Sequence, residues 1–480
     1  MDVAVIGSGH NGLSAALTMA RAGLSVRVYE AASTIGGGSR TRESTLPGFH
    51  HDVCSAVHPM ALASGFFRKF ELEKRITLIN PEVSYGQPLD GGRAGIAWHD
   101  LERTVEGLGV DGPAWRQLFG PLVRHAHEVA QFAGSSIVRV PDHPLTALRL
   151  GLRVLEQGTH AWGLRFRGDE AEAMLAGLNA HTIRAMPSLS TAAAGLVLGT
   201  HAHARGWPIP VGGSQAIIDA MAADLVVHGG EIVTDARISS LAELPPARAV
   251  MVNTSARGLL DLAGDTLPDR YRWALERFKY GNAAAKVDFA LSAPVPWANE
   301  DLRRAGTLHV GGTRAELAES EREVAAGKHP RNPYVLASQP TVVDPSRAPA
   351  GGHVLWAYTH VPARSTMDPT EAVTAQIERF APGFRDTILG SSSQTSLEVE
   401  AYNSNYIGGD IASGEASMLQ LISRPLPVPN PWRTPVQGLY LCSASTSPGP
   451  GVHGLAGYYA ARSALTREFG ITQMPSLAIR

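Results

Sequence analysis

The sequence predicts an α/β protein: a parallel sheet of the dinucleotide-binding (Rossmann) type, interleaved with an α+β domain built from an antiparallel sheet and helices. Three observations predict it. A strand, a glycine turn and a helix open the chain, a mostly helical stretch from about 110 to 205 interrupts that pattern, and strand and helix alternation returns before a strand-rich stretch from Ala285 to about Tyr402.

Val3-Ala4-Val5-Ile6 is an apolar run without alternation, as in a parallel strand covered on both faces. The turn Gly7 to Gly12 leads into a helix that runs through Arg21 and stops at Gly23, and Val26 to Tyr29 forms the next strand. In the helical stretch, Trp115 to Phe132 and Leu145 to Leu155 are the best helix candidates. Arg149 and Arg153, four residues apart, share one face of the latter, which is expected to roof a cavity with the arginines outward. A helix from Ser214 to His228 stops at Gly229-Gly230, and Ile232-Val233-Thr234 resumes the first sheet. Lys286 to Ala290 and Val354 to Tyr358 alternate as strands of a half-exposed antiparallel sheet. The Pro-rich segment Arg424 to Pro435 reads as an ordered connector or lid edge, and Gly438 to Ser445 is a strand running into a loop and a last helix. The nucleotide-binding domain is expected to take residues 1–75, 207–278 and 434–480, and the other domain 76–206 and 279–433.

Composition narrows the function. The chain has 480 residues with net charge −2 and 18% charged residues, so no strong field points to nucleic acid or an anionic membrane, and a small-molecule partner is expected. Hydrophobic residues at 44% can build a sizeable core. Cys54 and Cys442 are the only cysteines, which excludes a disulfide framework, a thiolate zinc site and a dithiol relay within one chain. No metal site is expected. The first residues carry no export signal and no window is apolar enough to span a bilayer, so a cytoplasmic protein is expected.

The chemistry starts at Gly7-Ser8-Gly9-His10-Asn11-Gly12, a G-x-G-x-x-G run that follows a strand and opens a helix. Gly7 permits the turn, Gly9 lets backbone approach a pyrophosphate, and Gly12 allows close helix-to-strand packing, while the free N–H groups of the helix start face the anion. Glu30, at the end of the second strand, suits ribose hydroxyls and disfavours a 2′-phosphate. These residues predict dinucleotide binding and do not decide between FAD and NAD. A second glycine cluster, Ile35 to Thr41 with Gly37, Gly38 and Arg40, offers a cation and a hydroxyl to phosphate oxygens.

With Ser445 to Gly454 and the small residues Ala460 and Ala461 at the far end, the chain resembles the phytoene-desaturase-like branch of the FAD-dependent amine oxidase superfamily, near its subgroup of pyridine nucleotide-disulfide oxidoreductase domain proteins. The disulfide part of that name cannot apply here. The resemblance spans nearly the whole chain and includes Gly48 to Asp52, Gly212 to Ala216, Lys286 to Leu291, Pro294 to Trp297 and Asn405 to Asp410. It implies a glutathione-reductase-type FAD-binding domain, with Gly7, Gly9, His10, Asn11 and Gly12 at the pyrophosphate and Glu30 at the adenosine ribose. Gly37, Gly38 and Arg40 would meet the phosphates or ribityl chain, the Ile238 backbone the adenine, and Ser445 the ribityl or pyrophosphate. Gly451 and Val452 would bring N–H groups to the pyrimidine edge of the flavin, stabilising its reduced form as preorganised donors do. Ser443, Ser447 and Pro450 depart from the glycine, histidine and glycine common in the family, which puts the ceiling of the active site in doubt.

The implied reaction is hydride removal from a C–H bond of an apolar or amphipathic small molecule, forming C=C or C=N, with amine oxidation as the alternative and a non-catalytic lipid-binding protein on the same scaffold as a further one. The electron acceptor, whether oxygen, quinone or NAD, stays open. His453 is the titratable candidate for proton management, with loop anchoring as its plainer role. His50, His51 and His58 read as structural, Cys442 as an inert core thiol, and Lys286 as a solvated or ion-paired strand lysine that could instead face the flavin through water. Family analogy permits peripheral membrane contact through Leu145 to Leu155, but a helix packed on the protein is favoured.

Overall fold

The structure is a computed structural model describing residues 1–479. Its first sheet has five parallel strands in the order Leu439–Leu441, Ala249–Val252, Val3–Ile6, Val26–Tyr29 and Glu231–Val233. Val3–Ile6 is central and buried along its length, as its unbroken apolar run requires. Successive side chains serve opposite layers. Val3 and Val5 pack with Leu13, Leu17, Met221, Ala460 and Ala464 from helices His10–Arg21, Gln215–Val227 and Leu455–Phe469. Ile6 joins Val252, Leu259 and Leu441 on the other side.

The last helix reaches the first through missing side chains. A Cβ at Gly457 would overlap the carbonyl of Asn11, and Ser14 Oγ bridges the pair by bonding the Gly454 carbonyl at 2.6 Å. Residues some 440 positions apart in the chain thus meet at one point.

The second sheet has seven strands in the order Ile388–Gln394, Ala283–Leu291, His353–Val361, Val335–Ser338, Thr307–Val310, Val83–Pro88 and Ala94–Trp98. Only the Thr307–Val310 and Val83–Pro88 pairing is parallel. Half-exposure is corrected here: Ala283–Leu291 is buried throughout. Alternation along it separates two covered faces. Val287, Phe289 and Leu291 meet Val373, Ile377 and Phe380 of helix Thr370–Phe380, whereas Ala284 with Trp356 and Tyr358 faces Ala176 and Ala180 of helix Asp169–Ala180. Lys286 and Asp288 made that second face look solvated, yet they pair with each other inside the protein.

Two helix expectations also change. Trp115 to Phe132 is two helices, Gly112–Arg124 and Ala126–Ala133, parted at His125. Pro121 lies in the last turn of the first and cannot donate the i to i−4 bond there, which weakens that turn just before the break. Helix Pro144–Gln157 turns Thr146, Leu150 and Gln157 inward and Leu145, Leu148, Leu152 and Leu155 outward, with Leu145 70% exposed. It packs on helix Leu189–Ala204 as an outer layer and contributes no residue to either of the two pockets beside Lys286. Arg153, expected outward, turns to Glu156 in an ion pair. The Pro-rich segment is an ordered connector: the buried Arg424 guanidinium donates to the carbonyls of Ala412 and Ala444, and Trp432 Nε1 donates to that of Ser447. Among the described residues, no helix is long and apolar enough to cross a membrane.

Because the two helices touch backbone to backbone at Gly457, Gly457→Val is expected to cost about 1–3 kcal/mol by overpacking and to lower the thermal midpoint in a calorimetric scan. An unchanged midpoint would mean that the helices do not meet there.

Candidate functional site

The glycine turn forms a cradle between the first two strands. Gly7 adopts φ 93°, where only glycine is unstrained, and a Cβ at Gly12 would collide with the Gly7 carbonyl. At Gly9 a Cβ would sit 3.1 Å from Asn253 Nδ2. No side chain caps the start of helix His10–Arg21, so its N–H groups stay available to an anion. Asn11 Oδ1 and His10 Nε2 are buried without a protein partner.

Glu30 ends the second strand, buried, and ties the cradle together. One of its oxygens accepts from Ser8 N at 3.0 Å and Ser8 Oγ at 2.5 Å, and the other from Ala32 N at 2.9 Å. Arg40 Nη2 approaches that second oxygen at 3.4 Å and donates more closely to the Thr34 carbonyl at 2.5 Å. Arg40 is therefore the longest of the contacts to Glu30 and the easiest for a ribose hydroxyl to displace. Gly37 lies against Gly9, with 3.5 Å between a Cβ built there and the Gly9 Cα. Gly38 leaves room for the Tyr406 hydroxyl, which a Cβ would strike. Ile238 follows a segment whose Asp235 and Ala236 N–H groups bond the carbonyls of Ala32 and Glu30, so its backbone runs beside the acid.

The far end of the chain closes the cradle. His10 and His453 stand edge to face with ring centroids 5.9 Å apart. His453 uses both nitrogens: Nδ1 accepts from Leu455 N at 3.0 Å and Nε2 faces the Gly449 carbonyl at 3.1 Å. That is the geometry of a loop anchor, and it leaves no nitrogen free to exchange a proton. Burial lowers His453 and His58 to about 4 and His10 to about 3, so all three are neutral near pH 7. Gly451, at φ 122°, and Val452 carry the loop past His453. The Ser445 hydroxyl accepts from Ala256 N at 3.0 Å and donates to the Ser413 carbonyl at 2.8 Å, which fixes the residue in the loop after the last strand. Ser443, where glycine is common in the family, accepts from Ser445 N at 3.1 Å and so helps fold this turn.

Beside the second glycine cluster opens a pocket lined by Cys54, Lys286, Trp356, Tyr358, Tyr402 and Tyr406. Two of these reach the cradle directly: Tyr402 donates to the Gly37 carbonyl at 2.9 Å, and the Tyr406 hydroxyl rests on Gly38. Arg40 and Arg42 approach the Tyr402 ring at 5.6 and 5.4 Å. Lys286 is buried and ion-paired, its Nζ 2.5 Å from Asp288 Oδ2, and its ammonium lies 6.0 Å from the Trp356 ring. No carboxylate lines this pocket. Burial raises the Cys54 and Cys442 thiols, which keeps both protonated, and pushes the Tyr358 hydroxyl up. His50 is half-exposed on a short strand, His51 bonds Thr45 Oγ1 at 2.9 Å and His58 bonds Ser214 Oγ at 2.7 Å. Sequence reading missed the pocket aromatics and Cys54. The signal available was the alternation that puts Lys286, Trp356 and Tyr358 on one sheet face.

A family model described as flavin containing amine oxidoreductase matches residues 12–465. The chain belongs to that family, and its cofactor is FAD. The chain is 25% identical to the rat pyridine nucleotide-disulfide oxidoreductase domain-containing protein 2, over 96% of this chain and 92% of that one. Among solved structures it is similar to an oxidoreductase from Methanosarcina mazei, with TM-score 0.60 and 17% identity over 97% of this chain and all of the other. It is also similar to wild-type putrescine oxidase bound to putrescine, with TM-score 0.59 and 18% identity over 97% and 99% of the two chains. The cradle fits the group: an uncapped helix start, glycines that a Cβ would fill, an acid at the end of the second strand and a buried loop from the last strand surround one cleft.

Gly12→Ala is expected to lower FAD affinity at least about tenfold, as loss of a few kcal/mol of cradle contacts requires, measured by flavin fluorescence on titrating FAD into apoprotein. For His10, His58 and His453 the folded values lie below the ordinary 6.5, so an unfolded chain takes up their protons first as pH falls. Their stabilising contribution is complete above pH 6.5 and is lost as pH drops toward 4. Thermal scans between pH 7.5 and 4.5 should show a falling midpoint with earlier flavin release; a flat profile would contradict the burial of neutral imidazoles.

Proposed function

We propose that this protein is an FAD-dependent dehydrogenase or oxidase of the phytoene-desaturase-like branch, removing a hydride from a C–H bond of an apolar or amphipathic small molecule and leaving C=C or C=N. The observation that carries this reading is the aromatic pocket joined to the glycine cradle through Tyr402 and Tyr406. When bound, FAD supplies the hydride acceptor, so the protein's task is position, exclusion of water and management of a proton.

The pocket's chemistry narrows the substrate. Trp356 and Tyr358 offer flat, buried faces to apolar carbon, and Ala284, Val399 and Ile411 extend that lining. The only ionised pair at its wall is Lys286 with Asp288, which is internally neutral. A dication such as putrescine would find no carboxylate here to anchor its remote ammonium, so the reading favours a molecule with at most one basic nitrogen. Either product releases a proton together with the hydride, from nitrogen when C=N forms and from the neighbouring carbon when C=C forms. Lys286 is the wall residue able to relay it, giving up a proton of its paired ammonium as it takes the new one, since the Tyr358 hydroxyl is held protonated by burial.

Anaerobic mixing of the flavin-loaded protein with a panel of apolar monoamines, polyenes and putrescine tests this. Bleaching of the flavin band by an apolar or amphipathic compound and none by putrescine is the expected result, and product analysis separates C=N from C=C. Reduction by putrescine alone would overturn the charge argument, and a colourless protein that takes up no FAD would overturn the enzyme reading.

A further inference from the structure

Behind Lys286 lies a second pocket, and it is polar. Arg42, Ser44, Asp288 and Ser392 line it, while Val53, Lys286 and Gln394 form a wall that it shares with the aromatic pocket. We propose that this outer pocket is a solvent passage for protons between bulk water and Lys286, and that Asp288 is the positioning residue that aims the ammonium across the wall. The proposal rests on the aromatic pocket being the reaction chamber.

The sheet's edge makes the opening. Ile388–Gln394 is an edge strand, and Ser392 and Gln394 on it are the register partners of Asp288 and Lys286. Serine side chains at Ser44 and Ser392 leave beside a buried ion pair about the room one water needs. Arg42 and Ser44, exposed and half-buried on the neighbouring hairpin, form the outer rim. A lysine and an aspartate taken wholly out of water lose several kcal/mol of hydration each, so a water-filled side explains why this pair tolerates a fully covered sheet.

Asp288 is held by more than the lysine. Ser44 Oγ donates to its Oδ2 at 2.8 Å, and His51 Nδ1 stands 3.6 Å from Oδ1, an oxygen with no other protein partner. Charged and titratable groups face Lys286 from every side: Asp288 on its own strand, Arg42 and His51 from the hairpin, Cys54 from the segment that follows it, and the phenols of Tyr358, Tyr402 and Tyr406 from across the aromatic pocket. The ion-paired Lys286 ammonium gives an Nζ proton to water in the outer pocket, and the amine left behind takes the proton that crosses from the aromatic pocket, which restores the ammonium; Asp288, hydrogen-bonded to Nζ, orients it and exchanges no proton.

Carbamylation of Lys286 by cyanate, a narrow three-atom reagent, in the flavin-loaded protein, followed by peptide mass spectrometry against exposed Lys69, tests the passage without any substrate. Ser392→Trp, or the milder Ser392→Leu, should plug the outer pocket and slow Lys286 labelling at least fivefold, and Val399→Phe, which narrows the aromatic side, should change it less than twofold. The reverse ranking would overturn the proposal, as would labelling blind to both. Asp288→Asn should make Lys286 at least tenfold more reactive at pH 8 and move the midpoint of labelling against pH downward, with Asp288→Glu restoring it. A midpoint that does not move would remove Asp288 from the role. If the passage is confirmed while no panel compound reduces the flavin, the substrate reading fails and the passage stands.

Discussion

Everything in this molecule depends on the contact between its first helix and its last. The dinucleotide cradle belongs to the first strand and helix, and the loop that closes it belongs to the last strand and helix. They are held together because Gly457 presents no side chain to the Asn11 carbonyl and because Ser14 bonds the Gly454 carbonyl. Backbone-to-backbone contact of this kind gains dispersion only at short range and tolerates no added methylene. The chain between can therefore wander through a helical layer and a second sheet, provided its ends return to one point.

From that point the cleft is built by reuse. Glu30 closes the second strand by gathering Ser8, Ala32 and Arg40, and Arg40 in turn reaches Tyr402. Tyr402 and Tyr406 rest on Gly37 and Gly38, so the same glycines that admit a cofactor also admit the aromatic wall of the neighbouring pocket. The inner face of the large sheet supplies the rest, with Lys286 opposite Tyr358 and Asp288 opposite Trp356. Cofactor cradle and reaction chamber are thus mechanically one structure. The one histidine of the closing loop, His453, is neutral with both nitrogens engaged, so it is an anchor more than an acid or base.

Local chemistry was legible in the sequence wherever neighbours in the chain decide it. Val3 to Tyr29 could be read almost residue by residue, because an unbroken apolar run, a glycine turn and a helix stopped at Gly23 each have a local cause. Exposure was not legible. Alternation in Ala283–Leu291 distinguishes two faces, but what covers each is supplied by helices far away in sequence. The same limit reversed helix Pro144–Gln157: its larger apolar stripe, from Leu145 to Leu155, points outward, and the smaller face of Thr146 and Leu150 meets the neighbouring helices. The aromatic pocket was hidden for a related reason, since Cys54 and Tyr406 come together only after the whole fold has formed.

The most direct measurement of the central claim is a crystal structure of the protein with FAD bound. The pyrophosphate is expected over the start of helix His10–Arg21, and the flavin ring between the Gly451-Val452 backbone and the pocket that contains Lys286. A ring lying elsewhere, with protein between it and the Lys286 pocket, would mean that the chain's two ends do not build one redox site.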